Sequence, residues 1–499
     1  MADKALDPFV LVELVVGVDI ATAEVRAMAS DATGKVHAEG RADLPQPSSP
    51  HPGWSEQDPH SWWPATARAL GRLTARLGSR AASVAALSVS STSGTVVALD
   101  AGGEPIGAAL TYADQRAAAQ ALIAQASGEE RWRELGLTIQ PSFGLAKWGW
   151  LVASPAASGR VRRLAHASDL VAAGLIGHQA PTDWSHALKS GYDPIRREWA
   201  LEATSALGIR EHLLPEVLRP TEAAGIICAE AATATGLPQG CLVRLGMTDS
   251  CASQLAAGAG SPGGFVSVLG STLVLKGASR ALVTDPTGAV YSHRHPQGWW
   301  LPGGASSSGG RCLTIAFGHQ DLAALDRQAA ISGPASTVIY PLPGRGERFP
   351  FVAPEAERFS LGEPRSAVER FRAMLEGVAF VERFGYEKLS SLGIEIEPPI
   401  RAAGRGSSSE VWNRIRATVL GLPLLAVTGA STARGASILA AAGTLHPDLR
   451  SATEAMSASG EPVEPNPAER GALEESYGRF VNEVVERGWT GSFNPSWKP

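Results

Sequence analysis

Asp249 closes an apolar run, Leu242–Thr248 (LVRLGMT), and opens a stretch of small residues. A carboxylate there can take the proton of an alcohol while that alcohol attacks a phosphorus centre. The same residue also suits the N-cap of a helix over Ser250–Ala259. Cap and base are compatible only if one carboxylate oxygen stays open. Asp19 ends a second apolar run and is followed by Ile20, Ala21 and Thr22. A turn of that kind can aim backbone N–H groups and the Thr22 hydroxyl at an anion, with Asp19 holding a hydrated magnesium ion beside it. An ordinary hairpin turn uses the same residue types.

Two further loops suit phosphate. Gly270, Ser271 and Thr272 lie between apolar runs (FVSVLGSTLVLK). Glycine there lets a backbone approach closely, and the hydroxyls can donate to phosphate oxygens. Ala402–Ser409 (AAGRGSSS) places Gly404 and Arg405 in a strand-to-helix turn that ends at Ser409. Such a turn can pass a nucleotide at a helix N-terminus, although the spacing matches neither a P-loop nor a dinucleotide fingerprint. Ser409 also reads as a simple helix cap. Ser93 and Asp114 are candidate partners for sugar hydroxyls, with Arg116 bracing Asp114; both also read as turn residues. His186, His293 and His295 lack metal-site spacing and read as surface or satisfied core residues.

The elements that must position these residues follow from pattern. Strands are expected at Leu14–Asp19, Val25–Ser30, Val84–Ser90 and Thr95–Asp100, with a helix from Asp58-Pro59 to about Leu77. The strand, Gly-x-x-Asp and Gly-Ser-Thr pattern over 242–276 repeats the opening unit. Two duplicated α/β domains hinged near residues 250–260 would explain it. A late strand, Ile400–Ala403, leads to a helix beginning near Glu410. Residues 1–10 read as a disordered leader, and a Glu-rich helix is expected over Pro467–Arg487.

Bulk properties exclude several classes. The net charge of −5 over 499 residues gives no basic field for nucleic acid, so an anionic ligand must be held by local groups. Cys228, Cys241, Cys251 and Cys312 form no C-x-x-C pair, which fits a reducing cytoplasm. The apolar run Leu11–Val18 is short and interrupted by Glu13, so it reads as a buried strand and not a signal peptide. No apolar run approaches the ~20 residues of a membrane span.

Taken in order, the motifs VGVDIATAEVRA, PGWSEQDPHSWW, VSSTSGTVVALD, YADQR, GMTDS, LGSTLVLK, PGGASSSGG and AAGRGSSSEVW resemble the FGGY family of carbohydrate kinases over residues 14–445. The resemblance implies α/β architecture with two duplicated actin-like ATPase (ribonuclease H-like) domains and a central cleft. It assigns 14–255 to a sugar-binding domain and 256–442 to a nucleotide-binding domain, with the tail (443–499) packing back on the first. It implies ATP and Mg2+, a cytoplasmic enzyme and a homodimer. Asp249 would be the base, and Asp19, Ser93, Asp249 and Asp114 would contact the ketose. Asp19 and Thr22 would lie beside phosphate and magnesium, with Gly270, Ser271 and Thr272 as a second phosphate loop. Gly404, Arg405 and Ser409 would pass the adenosine. DWSHALKSGYDP, GAVYSHR and YPLPGRGERFP are similar to the D-ribulokinase branch, which implies D-ribulose as substrate. D-xylulose, L-ribulose or a polyol are alternatives, as is a sugar-binding protein with degraded kinase activity. The chain departs from the family pattern at Ala21, His186, Ser307, Arg405 and Ser409. Ala21 adds a methyl where backbone meets phosphate, and Arg405 could stack on the base, pair with phosphate or block the pocket.

Overall fold

Every position of Leu14–Ile20 is buried, as expected of a strand covered on both faces. In the computed structural model, which describes residues 12–490 apart from 156 and 158, this strand (β1) centres a six-stranded sheet. The others are β2 (Glu24–Ser30), β3 (Val36–Asp43), β4 (Val84–Ser91), β5 (Ala223–Ile226) and β6 (Leu242–Thr248), in the order β5-β6-β4-β1-β2-β3. The β1, β4 and β6 strands run parallel; β2, β3 and β5 are antiparallel to their neighbours. The helix Trp62–Leu77 buries Trp62, Ala65, Ala69, Leu70, Leu73 and Leu77 at helical spacing.

Glycines fix how closely helices approach this sheet. A Cβ on Gly40 would meet the Ala69 carbonyl of that helix, and one on Gly17 would meet the backbone of Ala433 and Ser437. Gly40 pairs with Ala27, which pairs with Val18, next to Gly17. Neighbouring positions on a strand face opposite ways, so the two helices cover opposite faces.

A second sheet repeats the first. Its strands are β7 (Phe265–Leu269), β8 (Leu273–Gly277), β9 (Tyr291–Arg294), β10 (Trp300–Ser306), β11 (Ile400–Ala403), β12 (Leu424–Val427) and β13 (Gly460–Val463). Their order is β9-β10-β8-β7-β11-β12-β13, with β7, β11 and β12 parallel and the remaining pairs antiparallel. Strand directions match the first sheet apart from the added edge strand β9, and the order of the five inner strands matches too; only the far edge differs, since β13 follows β12 in the chain where β5 precedes β6, so the duplication is borne out in the shared core.

The chain divides into two units, but not as two unbroken lengths. The first takes residues through Arg131, then Ile139–Ala256 and Ser431–Ser457; the second takes Trp132–Thr138, Ala257–Ala430 and the chain from Ala458. Residues 431–442, expected in the nucleotide domain, join the first unit. There the helix Thr432–Ala441 lies against β1 and the helix Asp249–Ala256, with Gly17 and Gly435 giving the backbone clearance. The tail helix Pro467–Glu486 was expected on the first domain and instead belongs to the second. Leu473, Tyr477, Phe480 and Val484 enter the core around the helix Ala367–Ser391, and Arg383 pairs with Glu474. The expected leader lies outside the described residues.

Candidate active site

The parallel strands of the first unit end in register. Asp19 pairs with Ser90, and Ser91 pairs with both Ile20 and Thr248. Asp19, the turn after β4 and Asp249 therefore gather at one carboxyl edge, the usual place for a ligand in an α/β sheet. Asp249 opens its helix, and its Oδ1 accepts the Ser250 N–H at 2.7 Å. No donor takes Oδ2 among the described residues, so the open oxygen that a base needs is present. Asp19 is buried, with Arg26 3.7 Å away. Burial pushes its carboxyl up to about 7; Arg26 opposes the shift, and Asp249 and Glu24 add to it. Ser93 Oγ is buried without a hydrogen-bond partner among the described residues, so it too is placed for a ligand. Thr22 sits in the turn after β1, where its carbonyl accepts from Gln57 Nε2.

A buried polar network fixes this edge. Asp183 caps the short helix Trp184–Ala187, its Oδ1 accepting from Ser185 N, Ser185 Oγ and His186 N. Its Oδ2 lies 2.5 Å from His186 Nδ1. His186 Nε2 is 2.9 Å from Ser91 Oγ, and Ser185 Oγ accepts the Thr248 N–H at 3.0 Å. One charged pair thus holds the ends of β4 and β6, next to Ser93 and Asp249. Burial raises Asp183, but the His186 charge and the hydrogen bonds from His186 and Ser185 together outweigh it, and the carboxyl lies below its ordinary range. Burial likewise lowers His186, but Asp183 outweighs it and the ring lies above its ordinary range. His186 is a satisfied core residue, one of the two readings its sequence context allows; Asp183 carries no mark in the sequence beyond the Asp-x-x-His spacing.

One more expectation changes. Asp114 has no exposed surface, and its oxygens accept from Ser55 N, Arg116 N and the Arg116 guanidinium. Arg116 also pairs with Glu56 and stacks on Trp54, 3.6 Å from the ring centre. Asp114 therefore ties loops together and offers no open oxygen to a sugar. Lys147, unremarked in the sequence, is fully buried and donates to the carbonyls of Gly94 and Thr111. It pins the turn that carries Ser93. Burial lowers its ammonium to about 7, with Asp114 opposing. A lysine inside the apolar helix Gly144–Ala153 was the signal for it.

In the second unit, β7 and β11 also end in register, Val268 beside Ala403. The turns that follow open onto a cavity of about 920 Å³, lined by Gly270, Ser271, Arg311, Asp326, Arg405 and Ser409 among others. This volume suits a nucleotide-sized ligand. Thr272 completes the β7–β8 turn, where its carbonyl accepts the Gly270 N–H. Gly404 has φ +89°, and a Cβ there would lie 2.6 Å from the Leu269 carbonyl oxygen. Only glycine fits that position without a shift of backbone. Arg405 is exposed on the cavity wall and leaves the space open. Ala21 does not have a positive φ, so its methyl imposes no backbone strain. Ser409 caps the helix Glu410–Leu420 and also donates to Asp326.

Among the described residues, no cluster of three or more His, Cys, Asp or Glu side chains could hold a metal. A magnesium ion needs only one or two carboxylates beside phosphates and water. Asp19, raised chiefly by burial and further by its neighbour Asp249, fits that need, because a cation would favour its charged form.

Comparison with known proteins accords with this geometry. The N-terminal domain model of the FGGY carbohydrate kinases matches residues 14–256, and the C-terminal domain model matches 262–444. The xylulose kinase of Streptomyces coelicolor is 30% identical over 82% of this chain and 84% of its own. That of Escherichia coli is 28% identical over 85% and 89%. The crystal structure of xylulose kinase from Rhodospirillum rubrum superposes with a TM-score of 0.86 at 27% identity, covering 95% of this chain and 99% of that one. This chain belongs to the FGGY family of carbohydrate kinases and is an ATP-dependent sugar kinase.

Proposed function

We propose that the protein transfers the γ-phosphoryl group of ATP to the terminal hydroxyl of a pentulose. The observation that carries this reading is the open Oδ2 of Asp249 at the strand edge. Asp249 accepts the hydroxyl proton as the sugar oxygen bonds to phosphorus, and ADP departs as the P–O bond to it breaks. The free Ser93 hydroxyl and Asp19 orient the sugar, and Lys147 holds the Ser93 turn in place. Asp19 would hold a magnesium ion beside the phosphates, and that ion would neutralise phosphate charge. Thr22 and the Gly270–Thr272 turn contact phosphate, while Gly404, Arg405 and Ser409 pass the nucleoside.

The names of the relatives favour D-xylulose, whereas the DWSHALKSGYDP stretch favours D-ribulose. The two sugars differ in one hydroxyl configuration, which a site can read with one or two hydrogen bonds. A sugar-binding protein with degraded activity is the weaker reading, since Ala21 is unstrained and Arg405 leaves the cavity open. Phosphorus NMR of the product tests the assignment. A 5-phosphomonoester of D-xylulose or D-ribulose is expected; transfer to none of D-xylulose, D-ribulose and L-ribulose, from folded protein with Mg-ATP, would remove the pentulose reading.

A further inference from the structure

The lining of the second-unit cavity is chemically divided. Ser271 and Arg311 stand together, the Arg311 N–H donating to the Ser271 carbonyl. Elsewhere in the same lining, Ser409, Asp326 and Trp412 form another group. Ser409 Oγ donates to both Asp326 oxygens (2.8 and 3.0 Å) and accepts the Trp412 N–H at 3.0 Å. Trp412 in turn donates its indole N–H to the Leu375 carbonyl, and Leu375 and Phe371 add apolar wall.

Asp326 is the only carboxylate among the residues that line this cavity. A carboxylate repels polyphosphate, so the phosphates belong with Ser271 and Arg311 and the base belongs beside Asp326. There, apolar walls suit the faces of a flat ring, and the carboxylate meets its edge. The half-buried Asp326 is oriented by one shared proton from Ser409, and each oxygen keeps lone-pair capacity. The remaining capacity can accept hydrogen bonds but not donate them.

We propose that Asp326, held in place by Ser409, is the residue that selects the donor's base, by accepting from the 6-amino group of adenine. This rests on the kinase reading above and deepens it. Hypoxanthine presents a carbonyl oxygen at the same ring position, which a carboxylate rejects. Such a polar mismatch separates ligands more sharply than a difference in shape.

Titration calorimetry of Mg-ATP, Mg-ITP, Mg-GTP and Mg-2′-deoxy-ATP tests this on the wild type and on Asp326→Asn. The wild type is expected to bind ATP at least about tenfold more tightly than ITP. Asp326→Asn can donate to a carbonyl, so the ratio should narrow to near one or reverse, with ATP against 2′-deoxy-ATP unchanged. Asp326→Ala, a second variant should the first not fold, should also bring the ratio near one. An ATP-to-ITP ratio unchanged in a folded variant overturns the proposal. So does a loss of discrimination against 2′-deoxy-ATP instead, which would put the carboxylate on the ribose. GTP binding the wild type more tightly than ATP would also overturn it, since a carboxylate can take the N1–H and 2-amino pair of guanine. Wild-type protein that binds none of the four removes the kinase reading itself, and this proposal with it.

Discussion

His186→Ala should loosen the strand edge that carries Asp249. In the native protein the ring is fully buried between Asp183 and Ser91, with Nδ1 2.5 Å from Asp183 Oδ2 and Nε2 2.9 Å from Ser91 Oγ. Removing it leaves Oδ2 buried without a partner, while Oδ1 keeps Ser185. Breaking one side of a buried ion pair costs about 3–5 kcal/mol. Because Oδ1 stays satisfied, the lower end applies, about 3 kcal/mol. The most direct readout is hydrogen exchange of the Thr248 amide, whose N–H is donated to Ser185 Oγ at 3.0 Å. If the edge opens locally, that loss corresponds to roughly 100-fold faster exchange. Amides of the second-unit helix Ala367–Ser391 should be unaffected. His186→Asn, which keeps a donor toward Asp183 but is too short for Ser91, should fall between. Exchange of the Thr248 amide within about threefold of wild type in His186→Ala would refute the account of this network.

Other consequences follow from single positions. Gly404→Ala meets both a positive φ, worth about 1–2 kcal/mol, and the Leu269 carbonyl oxygen at 2.6 Å. Its Mg-ATP dissociation constant should rise at least about tenfold with pentulose binding retained; an unchanged constant would contradict the role of this turn. Phe480→Ala removes a fully buried ring packed near Tyr340, Phe359 and Phe380. A cost of about 3–5 kcal/mol should appear as faster exchange in the helix Ala367–Ser391 but not in β1; the reverse pattern would return the tail helix to the first unit. Burial holds the Lys147 ammonium at about 7 in the folded protein, below the ordinary lysine value of 10.5. Between those values the unfolded chain binds more protons, so stability contributed through this residue rises with pH across the window. Urea titrations at pH 7 and 9 should show that rise reduced in Lys147→Met; equal changes in both proteins would count against a depressed lysine.

Much of this was legible where the chemistry is local. The uniform apolar run of β1, the Gly-Ser-Thr turn between β7 and β8, and the Ser409 cap each depend on a few adjacent residues, and each forms as expected. Asp249 was legible as helix opener, because only its own neighbours decide how its carboxylate meets the first helical N–H groups. Features set by distant partners were not legible. Asp114 lost its expected sugar contact to Ser55, 59 positions away. The tail helix found its partner through Tyr477 and Phe480 against residues near 380, which an amphipathic pattern cannot specify. The helix Thr432–Ala441 joined the first unit through close approach at Gly17, more than 400 positions earlier; Gly435 within the helix records that some backbone comes near, but not which. Asp326 carries no motif, and its importance appears only once Ser409 and the cavity wall are beside it.

The central claim is that Asp249 is the base for phosphoryl transfer to a pentulose. It is tested most directly by pentulose-dependent ADP release with Mg-ATP in wild type and Asp249→Ala, beside Mg-ATP binding measured by calorimetry. The account predicts release by the wild type and a loss of about 10²–10⁴-fold in the variant, the range for a general base, with nucleotide binding kept. A folded Asp249→Ala protein that releases ADP within a few-fold of wild type would contradict it.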